Sequence, residues 1–161
     1  SAFDELVSFQ EQTYSSDFEI QVFANTLDNK VDTLPLPAMA DFTVGRISQR
    51  DKPDVVIGDY DDLSKYPSRV EGSAANEGYS LLTILSGYAF TFERYGANQW
   101  LCQARRQGQF MKIENEHGKS DIPLDFPDRK AIYRLGDTVV VYEHPSHQID
   151  RLYFKISKIT V

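Results

Sequence analysis

The chain has 161 residues, 41% of them hydrophobic and 12% aromatic, which is enough apolar material for one domain with a core that needs no covalent staples. Its 17 basic and 24 acidic side chains leave a net charge of −7, which argues against non-specific nucleic-acid binding and against an anionic membrane surface, because both depend on basic protein surface. The single cysteine excludes an intrachain disulfide, and no run approaches the roughly 20 apolar residues of a membrane span.

Residues 1–12 carry the pattern of an amphipathic helix. Ser1 is placed to cap it, Asp4 and Glu5 fall in the first turn, and Phe3, Leu6, Val7 and Gln10 follow helical spacing. From Phe18 the period changes to two: Phe18, Ile20, Val22 and Ala24 alternate with Glu19, Gln21 and Phe23, the mark of a half-buried strand. Asp28-Asn29-Lys30 reads as a turn before Val31, and Pro35 and Pro37 then break any regular element. Further strands are expected at Phe42–Ile47 and Asp54–Gly58. Residues 59–78 have no period and the composition of a long surface loop, a length more often met in binding segments than in plain connections.

The strongest local signal is a hairpin within residues 79–105. Tyr88, Phe90, Phe92 and Arg94 alternate with Ala89, Thr91, Glu93 and Tyr95; Gly96-Ala97-Asn98 supplies the turn; Trp100, Cys102 and Ala104 then alternate with Leu101, Gln103 and Arg105. Phe110–Glu114 is another strand, residues 120–130 look irregular around Pro123 and Pro127, and Asp137–Glu143 pairs with Arg151–Ile159 across a polar turn. One domain over residues 1–161 is expected, of α+β class: a curved, mainly antiparallel sheet of about six to eight strands with the N-terminal helix packed on one face. Its core should include Leu6, Phe18, Ile20, Val22, Leu82, Ile84, Phe90, Phe92, Trp100, Val139, Val141, Phe154 and Ile156.

Phe3-Asp4-Glu5-Leu6, followed by Asp17-Phe18-Glu19-Ile20-Gln21, resembles the start of small exported bacterial domains with an NTF2-like or cystatin-like fold. The stretch Tyr88–Gly96 followed by Trp100-Leu101 is similar to a hairpin those domains contain. The resemblance covers about two-thirds of the chain and departs from residue 110 onward, where extra strands follow. It implies a curved sheet around a cone, a scaffold that serves ligand pockets and enzymes alike, so it carries no function across. The chain begins at Ser1-Ala2 rather than Met, which is compatible with a removed leader; the compartment is left open, with the periplasm or the exterior favoured slightly over the cytoplasm.

Glu143-His144-Pro145-Ser146-His147 with Asp150 is the best candidate for metal chemistry, since imidazole and carboxylate ligate zinc and other divalent ions. His144, His147 and Asp150 would be the ligands. The competing reading is a polar hairpin turn whose histidines face water. Asp59-Tyr60-Asp61-Asp62 groups three carboxylates but lacks the register of a calcium loop. No nucleophile elbow or phosphate-cradling glycine loop is present, and Cys102 has no charged neighbour in sequence to activate it. Tyr60, Tyr66 and Tyr79 are amphipathic residues of the kind recognition loops use; Arg105-Arg106 suits an anion or a partner's carboxylates, against the competing and favoured reading of an exposed strand end whose charges discourage edge pairing. These features favour a non-catalytic binding or accessory domain that engages a protein partner or a small ligand and needs no cofactor, with no nucleic-acid partner. The alternative is a small hydrolase or isomerase working from a pocket on the concave sheet face.

Overall fold

A computed structural model of the chain describes residues 17–71, 79–115, 121–124 and 129–159. Eleven strands follow one another: β1 (Phe18–Ala24), β2 (Lys30–Pro35), β3 (Asp41–Arg46), β4 (Val55–Ile57), β5 (Phe90–Gly96), β6 (Gln99–Ala104), β7 (Phe110–Glu114), β8 (Asp121–Pro123), β9 (Ala131–Arg134), β10 (Thr138–His144) and β11 (His147–Lys158). Among the described residues between β4 and β5 stand two short 3-10 helices, Tyr60–Lys65 and Leu81–Ile84.

The strands form two sheets, one of six in the order β2-β1-β11-β10-β7-β8 and one of five in the order β4-β3-β5-β6-β9. All neighbours are antiparallel except β3 and β4. Alternation along each strand aims one set of side chains into the gap between the sheets. Ile20, Val22, Val139, Val141, Leu152, Phe154 and Ile156 come from the six-stranded sheet; Phe42, Val44, Phe90, Phe92, Trp100, Cys102 and Tyr133 come from the other. The rings meet edge to face, Phe90 on Phe154 at 5.3 Å and Phe92 on Tyr133 at 5.5 Å, the arrangement that the ring quadrupoles favour. Tyr133 also crosses the gap with hydrogen bonds: its hydroxyl donates to Asp137 O at 2.6 Å and accepts from Ile156 N at 2.8 Å. Phe23, Val140, Tyr142 and Tyr153 form a second apolar cluster on the opposite face of the six-stranded sheet.

This sandwich corrects the expected fold class. Two packed sheets replace the single curved sheet. Period-two alternation marks a strand with one dry face, but it does not say which strands pair or whether the dry faces meet each other. The helix expected over residues 1–12, with Leu6, lies outside the described residues. Every other residue expected in the core is buried. Three strands went unread: β2 runs from the expected turn to the first of the prolines taken to break regular structure, β8 falls in the stretch judged irregular, and β9 is only four residues long.

Candidate functional site

Three loops converge at the end of the sandwich where β3 and β6 finish and β5 begins. The first joins β3 to β4. Asp54 accepts from both the backbone N–H and the hydroxyl of Thr43, at 3.0 and 3.2 Å, which fastens the end of this loop to β3 and turns the chain back as a parallel neighbour. Ser48 Oγ accepts from Asp51 N at 2.8 Å and folds the tip, leaving Arg50 and Lys52 in solvent.

The second loop, residues 85–89, follows the 3-10 helix that Ser80 caps through Leu82 N. Arg46 holds it: its backbone N–H donates to Ser86 O and its Nε to Leu85 O at 3.0 Å. A β-carbon built on Gly45 would stand 1.9 Å from Gly87 O, and one built on Gly87 would stand 2.1 Å from Asp51 Oδ2. Gly45 has to be glycine because a backbone carbonyl stands where its side chain would be, whereas at Gly87 the space is taken by the Asp51 side chain.

The third loop, residues 105–109, turns with Gly108 at φ +89° and a bond from Gln109 N to Arg106 O. Gln109 is 5% exposed and joins this loop to the second. Its Oε1 accepts from Ser86 N at 2.8 Å and its Nε2 donates to Ile84 O at 3.3 Å. Loop one meets loop three where Arg106 Nη2 pairs with Asp51 Oδ1 at 3.2 Å. Tyr88 lies among all three, its hydroxyl accepting from Lys52 N at 3.0 Å and its ring 5.7 Å from the Arg106 guanidinium carbon.

The charge of this end opposes that of the whole chain. Arg46 at the end of β3 and Arg50, Lys52, Arg105 and Arg106 on the loops outnumber the loop carboxylates Asp51 and Asp54 among the described residues, in a protein of net charge −7. Arg46 spends two of its donors on carbonyls and Arg106 shares one with Asp51. The side chains of Arg50, Lys52 and Arg105 are exposed and make no ion pair with the described residues.

Of the residues singled out from sequence, Arg105 and Arg106 belong to this cluster. Tyr60 and Tyr79 are exposed elsewhere. Tyr66 is only 4% exposed: its hydroxyl donates to Asp32 Oδ2 at 3.3 Å, and burial, reinforced by that carboxylate, raises the phenol above its ordinary value. It is therefore part of the core and offers no surface to a partner.

The proposed metal trio does not assemble. Asp150 is turned inward, where its carboxylate accepts from Val70 N at 3.0 Å and Glu71 N at 2.8 Å. His144 engages Ser146 at 2.7 Å, and His147 sits 4.0 Å from Glu143. Among the described residues no group of three His, Cys, Asp or Glu side chains is arranged to hold a metal ion. Cys102 is fully buried, and burial pushes its thiol up, away from the thiolate a nucleophile needs. Sequence reasoning missed Arg46, Arg50, Lys52, Gly87 and Gln109. Three basic residues between positions 46 and 52 of an acidic chain were the available signal.

No family model matches the sequence, and no curated protein matches it. Solved structures do match its fold. The solution structure of the FHA domain of an Arabidopsis thaliana hypothetical protein is similar at TM-score 0.50 and 13% identity, over 89% of this chain and 87% of that one. The yeast Pml1 splicing factor is similar at TM-score 0.51 and 12% identity, over 98% of this chain and 91% of that one. The fold is thus the β-sandwich of FHA domains. That finding overturns the NTF2-like or cystatin-like expectation, which rested on a hairpin pattern common to many antiparallel sheets.

Proposed function

We propose that the chain is a non-catalytic recognition domain that binds a phosphorylated segment of a protein partner at the three-loop end. The observation that carries this reading is the cluster of Arg46, Arg50, Lys52, Arg105 and Arg106 on loops locked to one another, within an acidic protein. A phosphate brings about −1.5 to −2 charge and three acceptor oxygens, which forked guanidinium donors satisfy better than any neutral set does. Arg clusters are the recurring means by which small domains, FHA domains among them, read phosphorylated motifs. Steering of an anionic segment toward a local positive region on a negative molecule also favours correct docking over random adhesion.

The fold supports binding over catalysis. The inner faces of the two sheets, where the enzyme reading would put its pocket, are filled by Phe90, Phe92, Trp100, Tyr133 and Phe154. Around the cations, Ser48 and Tyr88 are engaged with backbone groups of the first loop, and Gln109 spans the other two. Among the described residues no helix is long and apolar enough to cross a membrane.

The test is an amide and arginine side-chain NMR titration with degenerate peptide pools carrying phosphothreonine, phosphoserine or the unmodified residue. Phosphate-dependent shifts should concentrate at residues 46–52, 86–88 and 105–109 and weaken as salt rises. Equal responses to phosphorylated and unmodified pools would refute the proposal, as would shifts confined to other surfaces.

A further inference from the structure

We propose that Asp51 is the site's own resident anion, and that a ligand phosphate binds by taking its place on Arg106. This rests on the reading of the three-loop end as an anion site and assigns the atoms at which exchange occurs. A carboxylate at a loop tip ordinarily points into water. That of Asp51 folds back, with only 16% of the side chain exposed, and lies against the backbone of Gly87, where even a methyl group would collide with it. Its Oδ1 sits 3.2 Å from Arg106 Nη2, while the Arg106 side chain remains 50% exposed and open to an incoming anion. The carboxylate therefore occupies a place bounded by a guanidinium, a glycine backbone and the Tyr88 ring beneath Arg106, an arrangement that suits a phosphate oxygen equally well.

The contact links the first and third loops directly, but each is also fastened to the second without it: Arg46 to Leu85 and Ser86 and Tyr88 to Lys52 hold the first, Gln109 to Ser86 and Ile84 holds the third, and none of these bonds involves the Asp51 carboxylate. An ion pair with one half-exposed partner is also weak, so a dianion that reaches Arg106 together with the unpaired Arg50, Lys52 and Arg105 displaces it at small cost. Asp51 keeps Arg106 positioned and desolvated on one side before the ligand arrives, and holds affinity below what the cations alone would give.

Asp51→Asn keeps the shape and removes the charge. Its apparent Kd for the phosphothreonine peptide pool, measured by fluorescence anisotropy, should tighten roughly twofold to fivefold relative to the wild type, since an exposed pair is worth little and its competition is lost with it. Exchange at Arg106 predicts more: in an Arg106→Gln background the same substitution should give almost no gain. Equal gains in both backgrounds would mean simple charge repulsion and would overturn the exchange. Unchanged or weaker binding by Asp51→Asn, with the loops still responding to the pool, would overturn the inference and leave the binding function standing. No phosphate-dependent response in either the wild type or Asp51→Asn would overturn both.

Discussion

Replacing Gln109 with leucine tests whether the three-loop end is built as described. The side chain is nearly buried and serves two backbone groups in the loop before β5, accepting from Ser86 N at 2.8 Å and donating to Ile84 O at 3.3 Å. Leucine has similar bulk, so little cavity results, and the cost comes from two backbone groups that lose their partner. A buried group left unsatisfied costs about 1–3 kcal/mol. The bond to Ile84 O is long, which puts its share near the lower bound, so the total expected is about 2–4 kcal/mol. Urea denaturation followed by Trp100 fluorescence measures this directly, because Trp100 lies in the core and reports global unfolding. The midpoint should fall without a change in slope. Amide exchange should also accelerate first at Ser86, whose N–H is the one released. A loss under about 0.5 kcal/mol would mean that water or a loop shift satisfies these groups as well as Gln109 does. It would also mean that Gln109 does not set the position of Arg105 and Arg106.

Gly45→Ala should cost about 3 kcal/mol or more by thermal or urea unfolding, because its methyl group would meet the Gly87 carbonyl, a backbone atom that yields only if β3 and the 85–89 loop part; a variant of wild-type stability would refute that close approach. Burial raises the Tyr66 and Tyr133 phenols and the Cys102 thiol, so the folded state keeps them neutral while the unfolded chain ionises from about pH 8.5 for Cys and about pH 10 for Tyr. Their contribution is complete below those values and is lost as pH rises above them, by up to about 1.4 kcal/mol per pH unit for each group. Cys102→Ala should flatten the decline that begins near pH 8.5 in the wild type, and an unchanged slope between about pH 8.5 and 10 would refute the assignment.

The strands plainest in the sequence are those whose alternation is longest. β1, β5, β6 and β11 each set large apolar side chains two residues apart against polar ones, and Phe18, Phe90, Trp100 and Phe154 are buried as that pattern demands. The architecture was not legible in the same way. That β1 pairs with β11 and β3 with β5 follows from contacts across most of the chain, and a strand carries no mark of its partner. β10 is buried on both faces from Thr138 to Tyr142 and β11 through Leu152–Phe154, a signature that a sheet with one wet face cannot produce. The run Val139-Val140-Val141 carried that information, yet strand length and apolar content alone read the same for either arrangement.

The site was legible only in fragments, because its parts lie on three loops separated by about thirty and about fifteen residues of intervening chain. Arg105-Arg106 stood out as a pair, but the features that give the pair meaning are distant: Asp51 on one loop, Gly87 on another, and Gln109 turned inward where an isolated glutamine would be read as surface. The histidine turn drew attention for the opposite reason, since its residues are close in sequence although β11 carries Asp150 to the interior and away from the imidazoles. Proximity along a strand separates side chains onto opposite faces, whereas loop ends of a sandwich bring remote residues together. A binding surface on this fold is therefore set by the few backbone-directed contacts that fix one loop against the next. Arg46 illustrates the point: it is spent largely on the carbonyls of Leu85 and Ile47, and so fastens the loop that carries the unpaired charges of Arg50 and Lys52 to the loop before β5.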